Sequence, residues 1–331
     1  MGGQDWTNAG EAAKRLEDAG YSGVWAAETN HDPFFQCLLA AQQTERIEVG
    51  TNIAVAFARN PMITAVTAND LQLASKGRFV LGLGSQIKPH IEKRFSMPWS
   101  SPAARMREFV LAMRAIWDCW NTGDKLDFRG EFYKHTLMTP FFNPGPNPYG
   151  PPKVMLAGVG EKMTETAGEV CDGFLSHSFT TEKYLREVTI PALQRGRDRA
   201  ERKVDDFQIA LGVFIVTGRN EEEWERARQG TKQQIAFYGS TPAYRGVLEA
   251  HGWGDLQEEL NTLSKRGDWV GMGEVLNDEV LDAFAVVASP DKIAEQMLSR
   301  YGDIVSRMSF YAPYQIDPAI WEPVVRDLRA A

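Results

Sequence analysis

Two polar side chains interrupt an apolar stretch of the sequence and are the first candidates for chemistry. Residues 48–61 are rich in apolar and β-branched residues, which favours a strand buried on both faces, but Thr51 and Asn52 lie among them. Polar groups inside such a strand must find hydrogen-bond partners, and α/β barrels bind their ligands where the parallel strands end. Thr51 and Asn52 are therefore candidate ligand contacts. A core strand that ends in a turn would show the same pattern.

A glycine-containing turn follows a later strand. The apolar run at 153–158 leads through Ala157, Gly158, Val159 and Gly160 into a predicted helix at 161–170. Glycine lets backbone N–H groups approach a phosphate, and a helix N-terminus favours negative charge. The pattern is compatible with a phosphate site. A Gly-x-Gly sequence alone is also common in tight turns between a strand and a helix.

Polar residues also follow two other predicted strands. Ser85 and Gln86 lie at the exit of the strand at 79–83, and His177 ends the strand at 173–177. His177 could hydrogen-bond a cofactor or a substrate, and a structural histidine is an equal alternative. Gln86 carries an amide, which cannot act as a general base. No set of His, Cys, Asp and Glu has the spacing of metal ligands, so no metal site is predicted.

The elements that must position these residues alternate between helix and strand. Hydrophobic periodicity and helix-ending glycines predict seven strands, at 22–27, 47–56, 79–83, 153–158, 173–177, 207–216 and 304–311. Predicted helices lie between them, among them those at 7–19, 34–44, 61–75, 102–121, 161–170 and 181–199. This repeat indicates parallel strands joined by right-handed connections.

The repeat predicts the α/β class, as a (β/α)8 barrel of the TIM type with insertions. We expect one domain over 1–331, with covering insertions at about 128–152 and 239–280. A closed barrel needs an eighth strand. The chain begins almost directly at its first helix, and Met1 to Gln4 are too few and too glycine-rich for a strand. The first strand is therefore predicted to be missing or truncated at the N-terminus.

Composition and charge exclude several classes of partner and site. A net charge of −8 and a pI of about 5.3 argue against nucleic acid as a partner. No apolar run approaches the roughly 18 residues that span a bilayer, and the N-terminus lacks a signal-peptide core, so no membrane is expected. Cys37, Cys119 and Cys171 lack metal or disulfide spacing and are predicted to be reduced and mostly buried. The sequence predicts a cytoplasmic protein.

Five motifs together resemble the luciferase-like monooxygenase superfamily, and most closely its deazaflavin (coenzyme F420)-dependent oxidoreductases. They occur in the order and spacing of that superfamily and lie at 23–29, 49–53, 59–61, 77–84 and 157–160. The resemblance implies the TIM-type barrel already expected from the repeat. FMN-dependent relatives share the same scaffold.

The resemblance also implies roles for individual residues. It places a cis peptide bond between Asn52 and Ile53, behind the cofactor ring, and phosphate contacts at Ala157 to Gly160. Glu28 matches an acidic position near the ring, but Thr29 stands where many relatives have histidine, and His31 lies two residues further on. Glu28 and His31 are the candidate catalytic residues. The residues assigned to cofactor binding are Thr51, Asn52, Ile53, Ser85, Gln86, Ala157, Gly158, Val159, Gly160 and His177.

The implied function is an F420-dependent oxidoreductase that transfers a hydride between the deazaflavin and a small organic substrate. Gln86 replaces an acidic residue of the sugar-phosphate-oxidising relatives, which argues against that subtype. One alternative is an FMN-dependent monooxygenase supplied by a separate flavin reductase. A second alternative is a flavin-binding relative without catalysis. A small molecule is the expected partner, and the resemblance allows a homodimer.

Overall fold

The computed structural model describes residues 5–330, whose contacts group into two compact units. Unit 1 contains Ala157 and the described residues before it, together with Lys162–Leu175 and Leu193–Phe207. Unit 2 contains Gly158–Glu161, Ser176–Ala192 and the described residues from Gln208 onward. The single domain over 1–331 stays a prediction, and the expectation about Met1 to Gln4 lies outside the described residues.

The first part of the chain alternates between helix and strand as predicted. Its strands are β1 (Gly23–Ala26), β2 (Glu48–Thr51), β3 (Ala54–Val55), β4 (Phe79–Gly84), β5 (Phe128–Arg129), β6 (Lys134–His135), β7 (Lys153–Gly158) and β8 (Gly173–Ser176). Its helices are α1 (Ala9–Asp18), α2 (Pro33–Gln43), α3 (Pro61–Ala74), α4 (Pro102–Thr122) and α5 (Glu161–Val170).

The strands of unit 1 form a parallel sheet in the order β1, β2, β4 and β7, followed by β8. All six residues of β4 are buried, as expected for a strand covered on both faces. The predicted single strand at 47–56 is wrong in one respect, because β2 ends at Thr51 and β3 begins at Ala54. β3 pairs with the end of β4, where Ala54 lies opposite Leu83.

Two helices that follow strands of this sheet begin with a capping side chain and a proline. Asp32 accepts a hydrogen bond from the N–H of Phe34 at 2.9 Å, and Pro33 opens α2. Asn60 accepts one from the N–H of Ile63 at 3.0 Å, immediately before α3. Proline fits the first turn because its missing N–H would have no partner there. These local signals explain why the sequence predicted both helix starts closely.

The segment at 128–152 is irregular, as predicted. It contains the antiparallel pair β5 and β6 and a single turn of 3-10 helix at Pro140–Phe142. Phe141 and Phe142 are both exposed. The expectation that this segment covers a substrate site stays a prediction.

The second part of the chain is mainly helical. Its helices are α6 (Glu182–Tyr184), α7 (Ile190–Arg199), α8 (Glu221–Gly239), α9 (Arg245–Glu249), α10 (Gly254–Arg266), α11 (Trp269–Val275), α12 (Asp278–Phe284), α13 (Ile293–Tyr301) and α14 (Trp321–Ala330). Its strands are β9 (Gln208–Val216), β10 (Ala285–Val287) and β11 (Arg307–Tyr311). A short π-helical turn lies at Leu185–Thr189 in this part, and another lies at His90–Arg94 in the first part of the chain.

In unit 2, β9 pairs in parallel with both β10 and β11. The count of seven strands was therefore wrong: residues 5–330 contain eleven, because β5, β6 and β10 were not predicted and the strand at 47–56 is split into β2 and β3. Ala285–Val287 follow α12 directly, without a glycine, a proline or a polar turn between them. An apolar run of three residues behind a helix cannot be distinguished by periodicity from the end of that helix.

The three cysteines are free and buried, which confirms their prediction as reduced thiols. None of the helices within residues 5–330 combines the length and the apolar character needed to cross a bilayer. Even α4, at 21 residues, carries several charged side chains.

Candidate functional site

Unit 1 places Asn52 and Ile53 at the break between β2 and β3. The peptide bond between them is cis, as the resemblance predicted. The N–H of Asn52 donates to the carbonyl oxygen of Ala26 at 2.8 Å, and the carbonyl oxygen of Ile53 accepts from the N–H of Glu28 at 3.1 Å. Both sides of the break are therefore fixed by β1 and the two residues after it. The Asn52 side chain is exposed and Ile53 is half-buried.

Thr51 ties β2 to β4. Its hydroxyl donates to the carbonyl oxygen of Gly82 at 2.7 Å and accepts from the N–H of Gly82 at 3.0 Å. A Cβ at Gly82 would lie 1.8 Å from the carbonyl oxygen of Thr51, so only glycine permits this approach. The hydroxyl group thus finds its partners within the protein, and the cofactor contact assigned to Thr51 stays a prediction.

The loop after β4 lies beside the break. A Cβ at Gly84 would lie 2.9 Å from the Ile53 side chain, which therefore packs directly on the end of β4. The Ser85 hydroxyl donates to the carbonyl oxygen of Gln86 at 3.1 Å. Gln86 has a positive φ of 59°, and its side-chain oxygen accepts from the N–H of Ile87 at 3.1 Å. Both side chains therefore shape their own loop, and their cofactor contacts stay predictions.

Glu28 holds β3 through its carboxylate. Its Oε2 atom accepts from the N–H of Val55 at 2.7 Å and from Nη1 of Arg59 at 2.6 Å. Arg59 extends the network to Asp32 through a contact of 2.8 Å and lies 5.2 Å over the ring of Phe34. The Glu28 and Arg59 side chains are only 8% and 16% exposed, whereas Asp32 is 38% exposed.

This network gives Glu28 a positioning role that the sequence analysis did not predict. Its N–H holds Ile53 and its carboxylate holds Val55, so one residue fixes the chain on either side of Ala54. Its role in catalysis stays a prediction. Arg59 and Asp32 were missed, and the available signal was Arg59 itself, which follows β3 within one of the five motifs.

His31, the second predicted catalytic residue, is half-buried and lies against another aromatic side chain. Its ring centroid is 6.1 Å from that of Trp6, which is also 6.1 Å from the ring of Phe35. A role in proton transfer stays a prediction.

The predicted phosphate turn belongs to unit 2 except for Ala157, which belongs to unit 1. A Cβ at Gly160 would meet no atom within 4 Å, so there is open space in front of this residue. The carbonyl oxygen of Val159 accepts from the hydroxyl of Tyr184 at 3.1 Å, which holds the turn in place. Helix α5 begins at the next residue, Glu161, which still belongs to unit 2, and a helix N-terminus favours an anion. The exposed carboxylate of Glu161 opposes that effect.

His177 is the other predicted residue in unit 2. Its Nδ1 atom accepts from the N–H of Phe179 at 2.9 Å, which leaves the proton of a neutral ring on Nε2. Burial lowers the pKa of His177 to about 4, so the ring is uncharged at neutral pH. His177 can therefore offer an N–H group to a ligand.

Three tyrosines are grouped with this histidine. Two of them contact its ring, and the third is hydrogen-bonded to one of these two. The ring centroid of His177 lies 4.7 Å from that of Tyr238, nearly perpendicular, and 4.9 Å from that of Tyr244. The hydroxyls of Tyr238 and Tyr311 are 2.9 Å apart, and the Tyr311 ring stacks on Phe214. We call His177, Tyr238, Tyr244 and Tyr311 the aromatic wall. No pattern in the sequence pointed to these tyrosines, since they come from three separate elements: α8, the turn before α9, and β11.

The structure brings three of the predicted residues together in unit 1 and places four others in unit 2. Glu28, Asn52 and Ile53 share hydrogen bonds or a peptide bond in unit 1, with Gly84 against Ile53. Gly158 to Gly160 and His177 belong to unit 2. Among residues 5–330, no group of three or more His, Cys, Asp or Glu side chains could hold a metal ion.

Comparison with known proteins places these features in a family. The sequence profile of the luciferase-like monooxygenases matches residues 1–307. An uncharacterized protein of Mycobacterium tuberculosis is 56% identical over 300 residues, covering 91% of this chain and 88% of the relative. The 5,10-methylenetetrahydromethanopterin reductase of Archaeoglobus fulgidus is 28% identical over 301 residues, covering 87% and 85%.

A solved structure shares the fold. The coenzyme F420-dependent tetrahydromethanopterin reductase of Methanopyrus kandleri superposes with a TM-score of 0.80 at 20% identity. The match covers 99% of this chain and 96% of the reductase. With the family match, it confirms the predicted fold class, an α/β fold of the TIM-barrel type.

Proposed function

The chain belongs to the luciferase-like monooxygenase family, and on that premise we propose that it is a coenzyme F420-dependent oxidoreductase. The family and the named relatives establish that it is an enzyme. The proposed reaction is hydride transfer between the deazaflavin and a small organic substrate. The similarity to reductases that act on methylenetetrahydromethanopterin supports F420 over FMN as the cofactor.

The observation that carries the proposal is the fixed break at Asn52 and Ile53. Backbone hydrogen bonds from Asn52 to Ala26 and from Glu28 to Ile53 fix the break, and the Ile53 side chain packs against Gly84. A half-buried apolar side chain beside an exposed amide suits a planar ring with polar edges. We assign ring support to Asn52 and Ile53.

The turn at Gly158 to Gly160 is the proposed phosphate site. The open space at Gly160 and the start of α5 fit an anion, and Tyr184 holds the turn through its hydrogen bond to the carbonyl of Val159. When bound, the deazaflavin supplies the hydride chemistry. The residues of the chain bind and orient it and exclude water from its ring.

Turnover tests the proposal. Reduced F420 is mixed with the protein and a panel of ketones without oxygen, and the return of the oxidised deazaflavin absorbance is followed. We expect oxidation of F420 that depends on both protein and ketone. Oxygen uptake with reduced FMN, together with no turnover of F420, would instead identify an FMN-dependent monooxygenase.

A graded substitution tests the phosphate site separately. Because a Cβ at Gly160 meets no protein atom, Gly160→Ala and Gly160→Leu should leave the melting temperature unchanged. Both side chains enter the space assigned to the phosphate. We expect the Kd for F420 to rise by a small factor for alanine and by more than tenfold for leucine. Equal affinity of all three proteins would show that the phosphate binds elsewhere.

A further inference from the structure

We propose that the aromatic wall binds the substrate, and that this substrate is an uncharged compound with a carbonyl group on a hydrophobic ring. The inference rests on the proposed function, because it assigns the substrate class of that oxidoreductase. His177, Tyr238, Tyr244 and Tyr311 all belong to unit 2.

The wall offers ring faces and edges for stacking. The rings of Tyr238 and Tyr244 lie within 5 Å of the His177 ring, and all four residues of the wall are half-buried. Tyr311 is fixed by its stacking on Phe214, at 4.6 Å between centroids. Aromatic side chains arranged in this way bury a large apolar area while each keeps one polar end. A hydrophobic ring would therefore find complementary surface here.

The wall also presents hydrogen-bond donors. His177 has its proton on Nε2, because Nδ1 accepts from the N–H of Phe179. The hydroxyls of Tyr238 and Tyr311 share one hydrogen bond, which uses one of their two hydroxyl hydrogens. The other hydrogen is available to donate to a ligand. The Tyr244 hydroxyl has no hydrogen-bond partner among residues 5–330, and it is not fully buried. A carbonyl oxygen, which accepts two hydrogen bonds, matches these donors.

The surroundings of the wall disfavour a charged substrate. Tyr238, Tyr244 and Tyr311 pack against a cluster of buried apolar side chains, and burial raises the pKa of Tyr311 and of Tyr244. Burial alone lowers the pKa of His177. A carboxylate or phosphate here would lose water without gaining a countercharge, which is costly. The wall therefore selects a neutral carbonyl compound against a sugar phosphate.

A matched pair of ligands isolates the effect of charge. Methyl 4-acetylbenzoate and 4-acetylbenzoate share a ring and a ketone, but only the second is an anion. Their Kd values are measured by saturation-transfer NMR on the full chain without cofactor. We expect the uncharged ester to bind at least tenfold more tightly. Equal binding, tighter binding of the anion, or binding of neither would overturn the inference.

Tyrosine variants locate the site. Tyr244→Phe and Tyr238→Phe each remove one hydroxyl and keep the ring, and we expect each to weaken ester binding about fivefold. Tyr149→Phe is the control, because this half-exposed tyrosine packs against Gly77 in unit 1. An equal effect of all three substitutions, or no effect of any, would show that the ester binds elsewhere.

These outcomes are independent of the proposed cofactor, because no F420 is present. Selective ester binding in a protein that does not bind F420 would refute the proposed function and leave the neutral-ligand site intact. Tight F420 binding without ester selectivity would refute only the inference.

Discussion

Removing the Glu28 carboxylate should loosen the break at Asn52 and Ile53 and destabilise unit 1. Its Oε2 atom accepts from Val55 at 2.7 Å and from Arg59 at 2.6 Å, with the Glu28 side chain only 8% exposed. Hydrogen bonds to charged groups contribute about 1.5–3 kcal/mol each, and neutral ones about 0.5–1.5 kcal/mol. Glu28→Gln keeps an oxygen but loses the charge, so we expect a loss of about 2 kcal/mol. Glu28→Ala also leaves the Val55 N–H and the Arg59 charge without this partner, and should cost about 3–5 kcal/mol.

Asp32→Asn is the matched control. Asp32 is the outer partner of Arg59, it is 38% exposed, and asparagine can still cap α2. An exposed ion pair contributes at most about 1 kcal/mol, so this variant should lose less than Glu28→Gln. Urea unfolding followed by tryptophan fluorescence gives the free energies of unfolding.

The same three proteins are then titrated with F420. Because the Glu28 carboxylate holds Val55, two residues after Ile53, we expect Glu28→Gln to weaken F420 binding several-fold while Asp32→Asn leaves it unchanged. A Glu28→Gln protein as stable as the wild type, or an Asp32→Asn protein that loses as much, would refute the positioning role.

Three further predictions follow from single contacts. Gly82→Ala places a Cβ 1.8 Å from the carbonyl oxygen of Thr51, so we expect a loss of more than about 3 kcal/mol in urea unfolding, or no folded protein. The folded pKa of His177, about 4, lies below its ordinary value of 6.5, so the unfolded chain takes up the proton first as the pH falls. Stability should therefore drop by about 2 kcal/mol between pH 7 and pH 5, and His177→Gln, which cannot titrate, should lack this component. Tyr184→Phe releases the Val159 carbonyl from its hydrogen bond and should raise the Kd for F420 several-fold, as measured by fluorescence titration.

Much of the fold could be predicted because short patterns in the sequence determine where its strands and helices begin and end. The fully buried β4 reads as a continuous apolar run, and the prolines and capping residues before α2 and α3 fix the helix starts. Hydrophobic periodicity alone does not show that the predicted strand at 47–56 is split. Asn52 and Ile53 lie within a run that otherwise looks like one regular strand. β10 was missed because its three residues continue directly from α12.

Residues of the candidate site could be predicted only where they lie together in one short motif. The Asn52 and Ile53 break and the glycine turn each lie within a few residues of sequence. The contact between Glu28 and Arg59 joins residues 31 positions apart, and the wall joins His177 to tyrosines on separate elements. Such contacts depend on how strands and helices pack, so no spacing in the chain reveals them.

The measurement that tests the central claim most directly is the ratio of two dissociation constants. Oxidised F420 and FMN are titrated separately into the purified protein, and quenching of the intrinsic tryptophan fluorescence is recorded. The proposed function predicts tight binding of F420 and much weaker binding of FMN. Preferential binding of FMN, or binding of neither cofactor, would contradict it.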